Sequence, residues 1–508
     1  MDKARTGCLE YAVTDLNHWQ RLAKQQRFID TAHIGGRAHA ARDGATFAVI
    51  NPATNALLGQ VAACSEADVD LAAKAARDSF SQGPWARMAP RERKAILLRL
   101  TELILANREE FALLDSMSMG KPVMDAYNID VPGAAAVFAW YAEALDKLYD
   151  QVAPTGQDAL ATITRAPLGV IAAVVPWNFP LDMAAWKLAP ALAAGNSVIL
   201  KPAEQSPFSA LRLAELALQA GIPQGVLNVV TGLGEQAGRA LGLHPDIDAL
   251  AFTGSTQVGK YFMQYSAQSN LKQVWLECGG KSPNLIFADC QDLDLAAEKA
   301  AFGIFFNQGE VCSANSRLLV QREIHDAFVE RLMAKARMWQ PGDPLDPQSR
   351  MGAIVDARQA ERIMHYIADA KASGARLVAG GERLTFKGSD NFITPTLFTG
   401  VSPDMRLARE EVFGPVLAIT PFDDEDQAVQ MANDHIYALA ASVWTDDLNR
   451  AHRVARRLNA GTVSVNTVDA LDVSVPFGGN KQSGFGRDLS LHSFDKYTQL
   501  KTTWIQLR

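Results

Sequence analysis

Cys312, in the run FFNQGEVCSANSRLLV, is the side chain with the most chemistry to offer, because Gly309 and the small residues after it leave the sulfur room for a substrate. A thiol in apolar surroundings stays inert unless something activates it. Taken alone, Cys312 therefore reads first as a small core filler. Two other residues change that reading: Glu277 in LECGGKSPN offers a base, and Asn178 in PWNFP offers a side-chain amide. The three are complementary for one reaction. An aldehyde gives up hydride readily only after a nucleophile has made its carbonyl carbon tetrahedral, and a thiolate is the best such nucleophile at neutral pH. The oxyanion that forms needs donors, and an Asn NH2 plus the nucleophile's own backbone N–H supply them at roughly 3–4 kcal/mol each. Hydride departure leaves a thioester, which a carboxylate resolves by deprotonating water.

The elements that must position these groups read as βαβ units. The run 197–200 (SVIL) predicts a buried strand, and Ser206 before Pro207 predicts a helix N-cap with proline at the first helical position. The helix should run through Leu211, Ala214 and Leu218 and stop at Gly221. Strands at 226–230 and 249–255 follow, each ending in a polar or glycine-bearing turn, so a ligand site is expected at their carboxyl ends. The turn carries Gly232, Gly234 and Gly238, one residue longer than the usual dinucleotide fingerprint. Three turn glycines of positive φ are the competing reading. Segments 159–165 and 502–507 alternate side chains to two faces, as exposed-edge or subunit-bridging strands do.

With 508 residues the chain exceeds one hydrophobic core, which predicts two or three domains around a buried cleft. A net charge of −7 without basic blocks argues against a nucleic-acid partner. The most apolar stretch, 168–200, holds three prolines, Asp182 and Lys187, so no membrane span is expected. The N-terminal run lacks the apolar core of a signal peptide. Five scattered cysteines (Cys8, Cys64, Cys278, Cys290, Cys312) without CxxC spacing predict neither disulfides nor a metal site, and a cytoplasmic location fits reduced thiols.

Seven motifs, PWNFP, KPAEQSP, FTGSTQVGK, LECGGKSPN, FFNQGEVC, EEVFGPV and PFGGNKQSGFGRD, follow one another between residues 176 and 488 in an order that resembles the aldehyde dehydrogenase superfamily. The resemblance implies an α/β fold of two doubly wound Rossmann-type domains plus a small bridging β element. It places an NAD-binding domain at 1–144 and 168–274, a catalytic domain at 275–485, and an oligomerisation element at 145–167 and 486–508. A homodimer or homotetramer is expected. Cys312 becomes the nucleophile, Glu277 the base of deacylation, and Asn178 the oxyanion donor beside the Cys312 amide. Lys201 and Glu204 match the positions that hold the adenosine ribose. A carboxylate there would repel a 2′-phosphate, so NAD is expected over NADP. Ser255 resembles the pyrophosphate serine at a helix N-terminus. Glu411 and Phe413 resemble the pair at the nicotinamide ribose and ring; Trp177 lines the cofactor channel, and Gly234 belongs to the dinucleotide turn.

The resemblance also walls an aromatic substrate tunnel with Phe179, Met183, Trp186, Phe306, Val311, Ser313 and Phe477. Asp469 and Asp472 are expected near its mouth, where they would meet a nitrogen-bearing tail, although acids in a loop are commonly just solvated. Three residues depart from the family pattern, Cys278, Asn480 and Asp488, and none is expected to touch a catalytic atom. The wording of the chain looks most like the γ-glutamyl-γ-aminobutyraldehyde dehydrogenases of putrescine breakdown. A broad aliphatic or betaine-type enzyme is the alternative, and a non-catalytic member of the fold a more distant one. A CoA-acylating relative would usually lack the base that Glu277 provides.

Overall fold

The computed structural model describes residues 15–508; Cys8 and the rest of the N-terminal run lie outside the described residues. Two sheets dominate. The first has eight strands, in the order Arg37–His39, Ala32–Ile34, Leu227–Val229, Ser197–Lys201, Val170–Val174, Ala249–Thr253, Gln273–Glu277, Gly484–Phe485. Its five central strands run parallel. Val170–Val174, Ser197–Lys201 and Ala249–Thr253 are buried at every residue, as parallel strands covered by helices on both faces must be. From Val170–Val174 the chain adds two strands on one side and then two on the other. That reversal opens a crevice at the carboxyl ends of Val170–Val174 and Ala249–Thr253.

The second sheet has seven strands, ordered Arg376–Ala379, Thr396–Thr399, Val416–Phe422, Arg317–Gln321, Pro283–Ile286, Ala440–Trp444, Thr462–Val465. All pairings are parallel except that of the edge strand Arg376–Ala379. Each sheet buries its own apolar clusters.

Three local expectations need correction. The helix after Ser197–Lys201 is Phe208–Ala220, capped by Pro207 and not by Ser206, whose hydroxyl donates to the Trp177 carbonyl at 3.3 Å. Its end falls at Gly221 as predicted, in the left-handed conformation at φ +103°. Of the three turn glycines only Gly232 has positive φ; Gly234–Gly238 forms a π-helical turn. The two alternating segments do not both offer free edges. Ala159–Pro167 pairs antiparallel with Thr498–Gln506 over nine positions and with Gln151–Ala153 over three on its other side, so it lies inside the sheet and is not an edge strand. Thr498–Gln506 keeps one open edge and exposes Leu500, Trp504 and Ile505.

Candidate active site

A cavity of ≈ 550 Å³ opens at the crevice and takes its walls from both sheets. Thr253 and Glu277 reach it from the ends of their strands, and Pro176, Trp177, Asn178 and Phe179 from the loop after Val170–Val174. From the second sheet's side come Phe306, Val311, Cys312 and Ser313, together with Glu411, Phe413, Asp469 and Phe477. Met183, Trp186 and Ser255 also line it, whereas Lys201, Glu204, Gly234 and Asp472 do not.

Cys312 follows the turn Phe306–Gly309, in which Asn307 and Gln308 hold left-handed φ of +49° and +58°. Two such non-glycine residues in succession cost about 1–3 kcal/mol each and need fixing from outside. Asn307 Nδ2 donates to the Asn178 and Glu310 carbonyls at 3.1 and 3.2 Å, and Gln308 Oε1 accepts from the Gly352 N–H at 3.0 Å. Asn178 Nδ2 in turn donates to the Glu310 carbonyl at 2.8 Å, so the amide and the thiol loop are tied together. Asn307 and Gln308 lie within a motif quoted from the sequence, but nothing in their spacing announced this bracing role. Burial pushes the Cys312 thiol well above its ordinary range; Asp469, Glu411 and Glu277 add to this, and the Ser313 amide opposes it. The free enzyme therefore holds a thiol, and a proton acceptor must act before it can attack.

Glu277 is 5% exposed, and neither of its carboxylate oxygens has a hydrogen-bond partner among the described residues. It caps no helix. The approach is tight: a side chain at Gly478 would place its Cβ 2.5 Å from Glu277 Oε1, and φ there is +150°. Burial first, and the charge of Asp488 second, push the Glu277 carboxyl well above the usual range, while Lys187, Lys496 and Arg487 oppose. Asp488 is itself buried and paired with both Lys187 and Lys496, which overcome its burial and hold it below its ordinary value. Two of the three family departures, Asp488 and Cys278, line the cavity. Asn480 lies apart, accepting from Arg487 at 2.9 Å.

That arrangement carries a pH prediction. A base with a raised pKa is ionised only at higher pH, so turnover limited by Glu277 should rise with pH above the ordinary carboxylate range. Asp488→Asn removes a charge that raises Glu277 and leaves two lysines facing it. The rising limb of kcat against pH should move to lower pH. The variant also strands two buried lysines at a cost of about 3–5 kcal/mol, so the profile is taken on protein shown folded by circular dichroism. An unmoved limb would make Asp488 purely structural.

Away from the thiol, the Trp177 and Phe413 rings meet edge-to-face at 5.3 Å. Glu411 Oε1 accepts from the Gly280 N–H at 3.0 Å, and burial pushes its carboxyl up to about 7 against that amide, Arg362 and Lys281. A Cβ at Gly279 would fall 2.2 Å from Glu411 Oε2, so a side chain there would displace that carboxylate. Ser255 caps the helix Thr256–Gln268, accepting from the Val258 N–H at 3.3 Å. Lys201 is 2% exposed and so is no solvated surface charge; its ammonium donates to the Pro202 carbonyl and stands 3.7 Å from Glu204. The Gly234–Gly238 turn is adjacent, with Gly238 in reach of the Lys201 side chain.

The aromatic wall pairs Phe179 with Phe306 at 6.2 Å, Phe302 with Phe306 at 5.0 Å, and Trp186 with Phe477 at 5.3 Å. The two loop acids part company. Asp469 lies against Ser313 and acts on the Cys312 thiol, so it belongs to the reacting end. Asp472 is exposed, its carboxylate held by the Ser474 amide at 2.8 Å, and Leu471 takes the cavity position instead. Cavity residues that the sequence did not single out for the site include Asp130, Asp182 and Gln359, because acids and amides on helices look like solvated surface.

Comparison with known proteins agrees with this geometry. The Aldehyde dehydrogenase family model matches residues 39–503, and the chain belongs to that family. It is 51% identical to the NADP/NAD-dependent aldehyde dehydrogenase PuuC of Escherichia coli (strain K12), over 97% of this chain and 99% of that one. Among solved structures it is similar to an indole-3-acetaldehyde dehydrogenase complexed with NAD+, at 52% identity and a TM-score of 0.96, covering 97% and 99% of the two chains. A gamma-glutamyl-gamma-aminobutyraldehyde dehydrogenase from Burkholderia cenocepacia matches at 54% identity and a TM-score of 0.95, covering 97% and 100%. The protein is an aldehyde-oxidising dehydrogenase with the fold of that family.

Proposed function

We propose that the chain oxidises an aldehyde to a carboxylic acid, with NAD as oxidant, through a thioester on Cys312. The observation that carries this reading is the meeting of Cys312, Asn178 and an unpartnered, buried Glu277 in one cavity. The Cys312 thiol gives up its proton to water in the cavity, its sulfur attacks the aldehyde carbon, and Asn178 Nδ2 with the Cys312 N–H receives the oxyanion. Nicotinamide, when bound, supplies the hydride acceptor. Loss of hydride turns the adduct into a thioester; Glu277 then deprotonates a water, which releases the acid and frees the sulfur.

The residues present fit a dinucleotide. Thr253 Oγ1 is buried on the cavity with no partner among the described residues, and a Cβ at Gly234 would meet open space. Lys201 and Glu204 would hold the adenosine ribose, Ser255 the pyrophosphate, and Glu411, Phe413 and Trp177 the nicotinamide end. In domain terms, 1–144 and 168–274 would carry the cofactor and 275–485 the nucleophile. Glu204→Gln should narrow the preference for NAD over NADP in kcat/KM by removing the charge that repels a 2′-phosphate. A wild type that already uses both equally would remove Glu204 from that role.

For the substrate we propose an aminoaldehyde such as γ-glutamyl-γ-aminobutyraldehyde, in putrescine breakdown, on the strength of the Burkholderia relative's name. The stacked Phe302 and Phe306 rings, with Phe179 tilted against Phe306, favour a second reading, an arylacetaldehyde. Measuring kcat/KM over a panel of amino-, aryl- and alkyl-aldehydes, with NAD and with NADP, decides between them; an outright preference for hexanal would defeat the aminoaldehyde reading. A homodimer or homotetramer joined through the free edge of Thr498–Gln506 completes the proposal. A cytoplasmic location is supported by four free thiols among the described residues.

A further inference from the structure

One wall of the catalytic cavity is acidic in a way the chemistry at Cys312 does not use. Asp130 ends the π-helical turn Ala126–Asp130, and Asp182 sits in the first turn of the helix Pro180–Ala194; both line the cavity beside Ile129 and Phe179. Such π-turns recur at functional sites. Asp115 and Asp125 interact with the same group. The cation that faces all four carboxyls is Lys121, which is paired with Asp130 and has its ammonium 3.9 Å from the centre of the Phe179 ring.

Four carboxyls against one ammonium leave the group short of positive charge. Asp130 is 1% exposed, yet only one of its oxygens is on Lys121; Oδ1 has no hydrogen-bond partner among the described residues. Oδ1 of Asp182 and of Asp115 is in the same position. Burial pushes Asp115 and Asp125 up to about 7, and burial with the Asp130 charge pushes Asp182 up to about 8. A structural ion pair explains Lys121 and Asp130 but leaves Asp182 on the cavity without a cation of its own. Buried carboxyls of this kind ionise readily only when a counter-charge arrives.

We propose that this wall receives an ammonium group on the tail of the aldehyde, with Asp130 and Asp182 as the contacting carboxylates and Lys121 holding Asp130 in place. The inference rests on the aminoaldehyde reading and sharpens it, since the tail must carry a positive charge and not merely an amide. Neutral aldehydes of the same shape then lack a partner for Asp182.

The test uses isosteric pairs: 3-aminopropanal against butanal, and 4-trimethylammoniobutanal against 5,5-dimethylhexanal. The wild type should favour the cation in each pair by roughly ten-fold or more in kcat/KM. Asp182→Asn keeps the Lys121–Asp130 pair intact and should collapse that ratio, chiefly through a higher KM for the cationic aldehyde. Asp182→Glu should restore part of it. Asp472→Asn, on the exposed loop, should leave the ratio as it is. A wild-type preference that survives Asp182→Asn would overturn the acidic wall, and so would the absence of any such preference in the wild type; neither touches the aminoaldehyde reading, which the amino- against alkyl-aldehyde panel decides. Butyltrimethylammonium, a tail without an aldehyde, should compete with the substrate in the wild type, and its failure to do so overturns the proposal whether or not Asp182→Asn folds.

Discussion

Cys312→Ala is expected to lower NADH formation by roughly four orders of magnitude or more, the scale on which loss of a covalent nucleophile acts. Without the sulfur the carbonyl carbon stays planar, and the Asn178 amide has no oxyanion to receive. Cys278 also lines the cavity, but it is the loop of Cys312 to which the Asn178 amide is tied, through the Glu310 carbonyl at 2.8 Å. Affinity for NAD should change little, since the proposed ribose contacts Lys201 and Glu204 lie outside the catalytic cavity. Steady-state absorbance at saturating aldehyde checks the first expectation and calorimetric titration of NAD the second. Turnover near the wild-type rate would take Cys312 out of the mechanism.

Glu277→Gln should separate the two halves of the reaction. The amide is nearly isosteric but cannot accept a proton, so acylation and its hydride loss continue while thioester hydrolysis stalls. A rapid-mixing trace should show a burst of NADH of about one equivalent per site, then a steady rate lower by roughly 10²–10⁴-fold, the usual worth of a general base. The raised pKa of Glu277 adds a wild-type counterpart. Below that pKa the carboxyl is protonated, so acidifying the wild type should bring out the same burst. Equal loss of burst and steady rate in Glu277→Gln would mean that Glu277 also takes the proton from Cys312.

What could be read from the sequence was what short spacing encodes. The strand at Ser197–Lys201 and the stop at Gly221 follow from local pattern, because a β-branched run and a C-terminal glycine act within a few residues. Ser206 misled because its hydroxyl has a distant taker, the Trp177 carbonyl. The pairing of Ala159–Pro167 with Thr498–Gln506 joins segments more than three hundred residues apart, and alternation alone names no partner. Within the site, Cys312, Glu277 and Asn178 stood out because their motifs did. Lys121, Asp130 and Asp182 had no such setting, and an acid in the first turn of a helix is ordinarily a solvated complement to the dipole. Asp472 was overvalued for the opposite reason: its motif borders the cavity, but its side chain turns to Ser474 and solvent.

The central claim is that the reaction passes through an acyl group on Cys312. It is tested most directly by mixing Glu277→Gln with aldehyde and NAD, quenching in acid during the slow phase, and mapping peptide masses. The acyl mass should appear on the peptide containing Cys312 at close to one equivalent, and hydroxylamine should remove it as a thioester. A full NADH burst with no acylated peptide, or with the acyl mass on the peptide containing Cys278, would contradict the account.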